Sequence, residues 1–308
     1  MVFLLFHILF ASSFTLLIKF AQQRTAVDVV TVGAINYIVA ALAILPVFVT
    51  TNPTPISGVA LMTGGAMGTT YFIAFFFVIY AIRTVGASST TVVSVLSILL
   101  PISLAALWYA EYPSRGQTMG IGLALASLLL ITSGKKPADR NLQKIKASRP
   151  RTPTDSDGKS SPASSTPVWV VPTVLLVFFC LCGMNRVFQD TFKHFSTGDQ
   201  RPAFLIAAFT MAGIPSSVVL LRRWRVPSRS EFAIGIAMGL ANVLQTFFVL
   251  RALQHLQGYI VFTLASCGAI VLTTVVATGM MGERISRRAQ LGISMAVVAL
   301  VLLRWLPT

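Results

Sequence analysis

Gly64-Gly65-Ala66-Met67-Gly68 and Gly235-Ile236-Ala237-Met238-Gly239 stand 171 positions apart in one chain of 308 residues. The same offset pairs Phe76-Phe77-Val78 with Phe247-Phe248-Val249, and Ala81 with Ala252. One residue further on, Glu111, Ser114, Arg115 and Gly120 pair with Glu283, Ser286, Arg287 and Gly292. Glycine matches alone carry little weight, because membrane helices are rich in small residues. Charged and polar matches that keep their order and spacing read as an internal duplication.

The duplicated stretches sit in an apolar chain, 55% hydrophobic and 11% charged, with a mean hydropathy of +0.78. A soluble domain carries about 25% charged residues, so too little polar surface is left here to cover a body in water. A helix needs roughly 20 apolar residues to cross the hydrocarbon core. Hydropathy predicts ten such spans, near 2–20, 29–49, 59–80, 87–109 and 116–133, then 168–186, 203–221, 232–252, 257–280 and 290–306. Continuous apolar runs exclude a membrane barrel, whose strands alternate at every second residue. The expected fold class is an all-α integral membrane protein, its ten transmembrane helices arranged as two five-helix repeats over 1–133 and 168–308. Five is odd, so the second repeat must enter the membrane in the opposite direction. Inverted repeats of this kind suit alternating access in secondary transporters.

Residues 134–167 interrupt the pattern with eight Lys/Arg, three Asp and five Pro. Such a stretch cannot bury a core and is expected to be a disordered basic linker. The first span has no basic stretch before its apolar run and reads as a retained helix rather than a cleaved signal. The net charge of +15 maps to loops and span ends, where basic residues set topology and meet headgroups. The expected partners are therefore the lipid bilayer and a small-molecule substrate, not nucleic acid. The linker face carries 18 of the 24 basic residues, which predicts a cytoplasmic linker and external termini. Cys180, Cys182 and Cys267 all fall within spans and make no disulfide framework. No HExxH, P-loop or nucleophile elbow is present, so neither an enzyme nor a cofactor is expected.

The run Ala81-Ile82-Arg83-Thr84-Val85-Gly86-Ala87-Ser88, a fourth span containing Leu100-Pro101, then Glu111 and Gly120, resembles the drug/metabolite transporter superfamily. More narrowly it is similar to the EamA-type ten-span transporters. The second half repeats Ala252, Glu283 and Gly292 but has Thr273 where Pro101 aligns. Ala11-Ser12-Ser13 replaces the family's early Trp-Gly. The resemblance implies a carrier with spans one, three, four, six, eight and nine around a central cavity, most often an exporter of amino acids or related solutes. It implies a plasma membrane, as of a bacterial inner membrane, with the termini in the cytoplasm, opposite to the charge count.

Polar groups inside a bilayer are costly and default to functional candidates. Asn242 and Gln245 are three apart and share one helix face; Asn185 and Gln189 are four apart and do the same. Tyr71 occupies the position equivalent to Asn242. Ser94 lies on a hydroxyl stripe with Ser88 and Thr91, and Lys19 lies near the end of the first span. These seven residues, Asn242, Gln245, Asn185, Gln189, Tyr71, Lys19 and Ser94, are the candidate substrate-binding set. Each has a structural alternative: interhelical hydrogen bonding for the amides, close packing for the hydroxyls, snorkelling for Lys19. Pro101 reads as a bend, Glu111–Arg115 and Glu283–Arg287 as local ion pairs, and Gly64–Gly68 and Gly235–Gly239 as packing within each half. A homodimer through these glycines is the weaker option. Rival readings are a lipid-carrier or sugar-conjugate translocase, an intramembrane enzyme, and a membrane sensor or scaffold.

Overall fold

The apolar segments become helices separated by short turns. A computed structural model of the chain describes residues 1–24, 27–51, 56–85, 87–133, 169–281 and 287–305. The first half comprises α1 (Val2–Gln23), α2 (Val29–Thr51), α3 (Gly58–Val85), α4 (Ala87–Leu96), α5 (Leu99–Trp108) and α6 (Arg115–Ser133). The second comprises α7 (Val170–Phe195), α8 (Arg201–Arg222), α9 (Arg229–Leu253), α10 (Gly258–Met281) and α11 (Arg287–Trp305). The described residues are all helix and turn. The basic linker and Glu283 lie outside them.

Seven of these helices are long and apolar enough to cross a membrane: α1, α2, α3, α7, α8, α9 and α10. Their outward faces are apolar, with Leu42 63% and Met62 78% exposed, as suits contact with lipid rather than water. The three other expected spans are also helical: α6, α11 and the α4–α5 pair. α6 opens on Arg115, Gln117 and Thr118. The fourth span is broken into α4 and α5.

Pro101 causes that break. It has no N–H to donate to Ser97, four residues earlier, and its ring crowds that carbonyl. Ser97 O instead accepts from the Leu100 amide at 3.2 Å, a tighter turn. The Ser97 hydroxyl donates back to Ser94 O at 2.6 Å. Gly183 of α7 lets that helix approach the break, for a Cβ there would lie 2.9 Å from Leu100 Cβ and 3.0 Å from Ser97 O.

α3 packs against α7 and α8, α9 against α1 and α2, α2 against α8, and α6 against α11. α10 packs against α1, and α4 and α5 pack against α7. Almost every extensive contact therefore joins one half to the other. The glycine motifs serve these contacts, which corrects the expectation that they pack each half internally. A Cβ on Gly64 or Gly68 would collide with the Phe204 or Ala208 carbonyl of α8. On Gly239 it would lie 2.7 Å from Asn36 O of α2.

The helix ends are tied across the halves as well. Glu231 completes a capping box with Ser228 at the start of α9 and also accepts from the Asp28 amide at 2.8 Å. At the opposite end, Glu111 Oε1 accepts from Lys193 at 3.3 Å and meets His194 Nε2 at 3.1 Å. Tyr109 stacks on the His194 ring with centroids 3.8 Å apart. Glu111 thus pairs with α7, not with Arg115 as its sequence neighbourhood suggests.

Candidate functional site

A cavity of about 410 Å³ opens among α1, α2, α3, α4, α7, α9 and α10, a size suited to a small organic ligand. Its wall has a periodic logic. α1 contributes His7, Ala11, Phe14, Thr15 and Ile18; α7 contributes Phe178, Cys182, Asn185, Arg186 and Gln189. Each α7 residue stands 171 positions after its α1 counterpart, the offset of the internal duplication. Tyr71, Ala74, Phe75 and Val78 of α3 correspond at that offset to Asn242, Gln245, Thr246 and Val249 of α9. The two halves present equivalent helix faces to one space.

The equivalent faces differ in chemistry. Asn185, Arg186 and Gln189 stand where α1 has Phe14, Thr15 and Ile18, and Asn242, Gln245 and Thr246 where α3 has Tyr71, Ala74 and Phe75. Amides and a cation therefore gather on α7 and α9, and apolar surface on α1 and α3.

Hydrogen bonds fix several of these groups. Gln245 Nε2 donates to Asn242 Oδ1 at 2.9 Å, and Asn242 Nδ2 donates to Asn36 Oδ1 at 3.3 Å. Asn36 is fully buried on α2, and its own Nδ2 has no hydrogen-bond partner. The ladder crosses from α9 to α2 and sets the angle of both α9 amides. Thr70 donates to Asn185 Oδ1 at 2.5 Å, which leaves the NH2 end of that amide for other acceptors. Gln189 Nε2 reaches the Tyr71 hydroxyl at 3.5 Å. His7 Nδ1 lies 2.7 Å from Gln245 O. A carbonyl only accepts, so Nδ1 carries the proton and Nε2 is the acceptor.

Six of the seven candidate residues line this cavity: Asn242, Gln245, Asn185, Gln189, Tyr71 and Ser94. Lys19 does not. It lies beyond Ile18 on α1, partly buried, off the face that His7, Ala11, Phe14 and Ile18 define. Ser88 and Thr91 have side chains outside the described residues. The cavity also holds His7, Tyr37, Thr246 and Arg186, which the sequence reading did not select. Arg186 is the most consequential of them. Ending the sixth span at residue 186 makes it an interfacial charge, whereas α7 runs on to Phe195 and carries it at cavity depth. Its neighbours Asn185 and Gln189, at helical spacing beyond the apolar run, were the available signal that the helix continues.

Among the described residues, Glu111 Oε2 and Asp190 Oδ1 are buried without hydrogen-bond partners, but no group of His, Cys, Asp and Glu is placed to hold a metal.

Residues 1–133 match the EamA-like transporter family, a family of membrane transporters. No curated protein matches the chain. A solved structure titled only "Crystal structure of protein" is similar over 98% of this chain and 95% of its own, with a TM-score of 0.71. At 14% identity that likeness speaks to the fold alone.

Proposed function

We propose that the chain is a ten-span secondary carrier that moves a small metabolite across a plasma membrane by alternating access, its halves forming an inverted repeat. The observation that carries this reading is the cavity wall, built at mid-helix from equivalent positions of both halves. The packing pattern supports the inverted repeat. Exchanging each helix for its counterpart turns the α3–α8 contact into α9–α2, α1–α9 into α7–α3, and α1–α10 into α7 with α4–α5. The α2–α8 and α6–α11 contacts map onto themselves, as expected of a two-fold axis, and five spans in each half would put that axis in the membrane plane. The family match of the first half supports transport as the activity. Export of an amino acid or related solute is the role that the family resemblance favours.

Flux measured in proteoliposomes tests the carrier reading, and two variants test the site. Asn242→Ala and Gln245→Ala break the ladder from α9 to Asn36. Each interhelical bond in a membrane contributes only about 0.6 kcal/mol on average, so expression and folding should persist. Flux should fall severalfold. Normal flux in both variants would remove these amides from the site.

A further inference from the structure

The geometry points to a small organic anion as the ligand of this cavity, its carboxylate or phosphate held by Arg186 and its apolar body lying against α1 and α3. The inference rests on the carrier reading, since it takes the cavity to be the substrate site.

Arg186 is a permanent cation within a helix long and apolar enough to span the membrane, where charge is costly. Among the described residues its hydrogen bond is a single neutral one, Nη1 donating to Ser97 Oγ at 2.7 Å. That hydroxyl has already turned its hydrogen to Ser94 O, so it receives the guanidinium as a pure acceptor. A guanidinium has five N–H donors, and Ser97 takes one. No carboxylate among the described residues forms an ion pair with Arg186. Asp28 pairs with Arg223, Glu111 with Lys193 and His194, Asp190 with His194, Asp199 with Arg201, and Glu231 with Arg225. A buried charge needs a counter-charge or a full set of hydrogen bonds. Arg186 has neither within the described protein, and it faces the cavity.

The missing partner is therefore an anion that enters from solution. The planar fork of the guanidinium matches two oxygens of one carboxylate or phosphate. The NH2 end of Asn185 adds a neutral donor on the same wall. Elsewhere on the lining, Phe14, Ile18, Ala74, Phe75 and Val78 supply apolar surface. A ligand that satisfies both walls has a charged head and an apolar or aromatic body. The break at Pro101 belongs to this site, because the turn it forces holds the Ser97 hydroxyl against the guanidinium.

Equilibrium binding to the full chain in nanodiscs tests this with three probes of similar body: phenylacetate, phenyl phosphate and the neutral phenylacetamide. An anion should bind at least about tenfold more tightly than the amide, the discrimination of one charge-assisted hydrogen bond. Which anion leads distinguishes a carboxylate site from a phosphate site. In Arg186→Gln the anion-to-amide ratio should collapse toward one, while Arg186→Lys, which keeps the charge and loses the fork, should retain part of it. A wild-type ratio near one overturns the inference without reference to how any variant folds. So does anion binding undiminished in Arg186→Gln, or no binding of either anion at millimolar concentration. Flux separates this inference from the one beneath it. Transport of neutral solutes with Arg186 irrelevant leaves the carrier and removes the anion. Tight anion binding with no flux in proteoliposomes leaves the anion and removes the carrier.

Discussion

At the head of α2, Asp28 accepts from the Thr31 amide at 3.1 Å and from the Thr31 hydroxyl at 2.7 Å. It also pairs with Arg223, just past the end of α8. Burial pushes its carboxyl upward, but the Thr31 bonds and the Arg223 charge outweigh it and hold the group below the usual carboxylate range. A lowered folded-state value means that the contribution is complete above the unfolded value of about 3.9 and is lost as pH falls through the folded one. Asp28→Ala should cost about 1 kcal/mol at neutral pH, as the loss of a helix cap. Thermal melts in detergent should show the gap between wild type and variant closing in acid, and a constant gap would assign the loss to packing instead. Single residues were also where the sequence was hardest to read. The amides at i, i+3 and i, i+4 were legible because helical spacing alone places them on one face. Arg186 was not, because a charge after an apolar run looks the same whether a helix stops there or continues. Asn36 was hidden too, since its importance lies in a partner 206 positions away.

Elements were more legible. Each predicted apolar segment coincides with a helix, or with the α4–α5 pair, because apolar length is a property of the local chain. Partners are not local, and the glycine motifs illustrate the difference. Spacing identifies a face that permits close approach, but which backbone comes to it is a tertiary fact. The contrast between adjacent glycines makes this testable. Gly65→Ala places a Cβ 3.7 Å from Met211 Cγ, an ordinary contact, and gains up to about 1 kcal/mol of helix propensity. Gly68→Ala drives a Cβ into the Ala208 carbonyl of α8 and should cost about 1–3 kcal/mol, as overpacking does. Melting temperatures of the two variants should move in opposite directions, and a tolerated Gly68→Ala would mean that α3 and α8 can separate without loss.

For the whole molecule, the linker and the orientation remain the proposals to test. Residues 134–167 carry no large apolar surface and join halves that already meet along most of their helices. Loop closure changes slowly with length, so replacing 137–164 by an equal Gly/Ser chain should leave the melting temperature nearly unchanged. A large drop would show that the segment docks. Arg186 also changes the charge count, since it sits at cavity depth and not at an interface. With the linker set aside, Arg115, Lys193, Arg201, Arg251 and Arg304 remain on the termini face against ten basic residues opposite, and the positive-inside rule strengthens its case for a cytoplasmic linker. A cysteine at Ser160, in a chain without Cys180, Cys182 and Cys267, should then resist an impermeant maleimide in intact cells. Ready labelling would restore the orientation that the family resemblance implies.

The glycine contacts also bear on motion. Along α3–α8 and α2–α9 the helices approach closely at glycine, Gly64 and Gly68 against the Phe204 and Ala208 carbonyls, and Gly235 and Gly239 against the Ile35 and Val39 side chains. The broken α4–α5 span, the Tyr109–His194 stack and the Glu111 pairs belong to a different interface, that of the fourth span with α7. If the proposed carrier rocks, these glycine contacts would be its fulcrum, and the Tyr109–His194 stack and Glu111 pairs would be contacts at its rim. A Cβ added at the fulcrum should cost stability, as in Gly68→Ala, whereas a change at the rim leaves the close helix approach untouched.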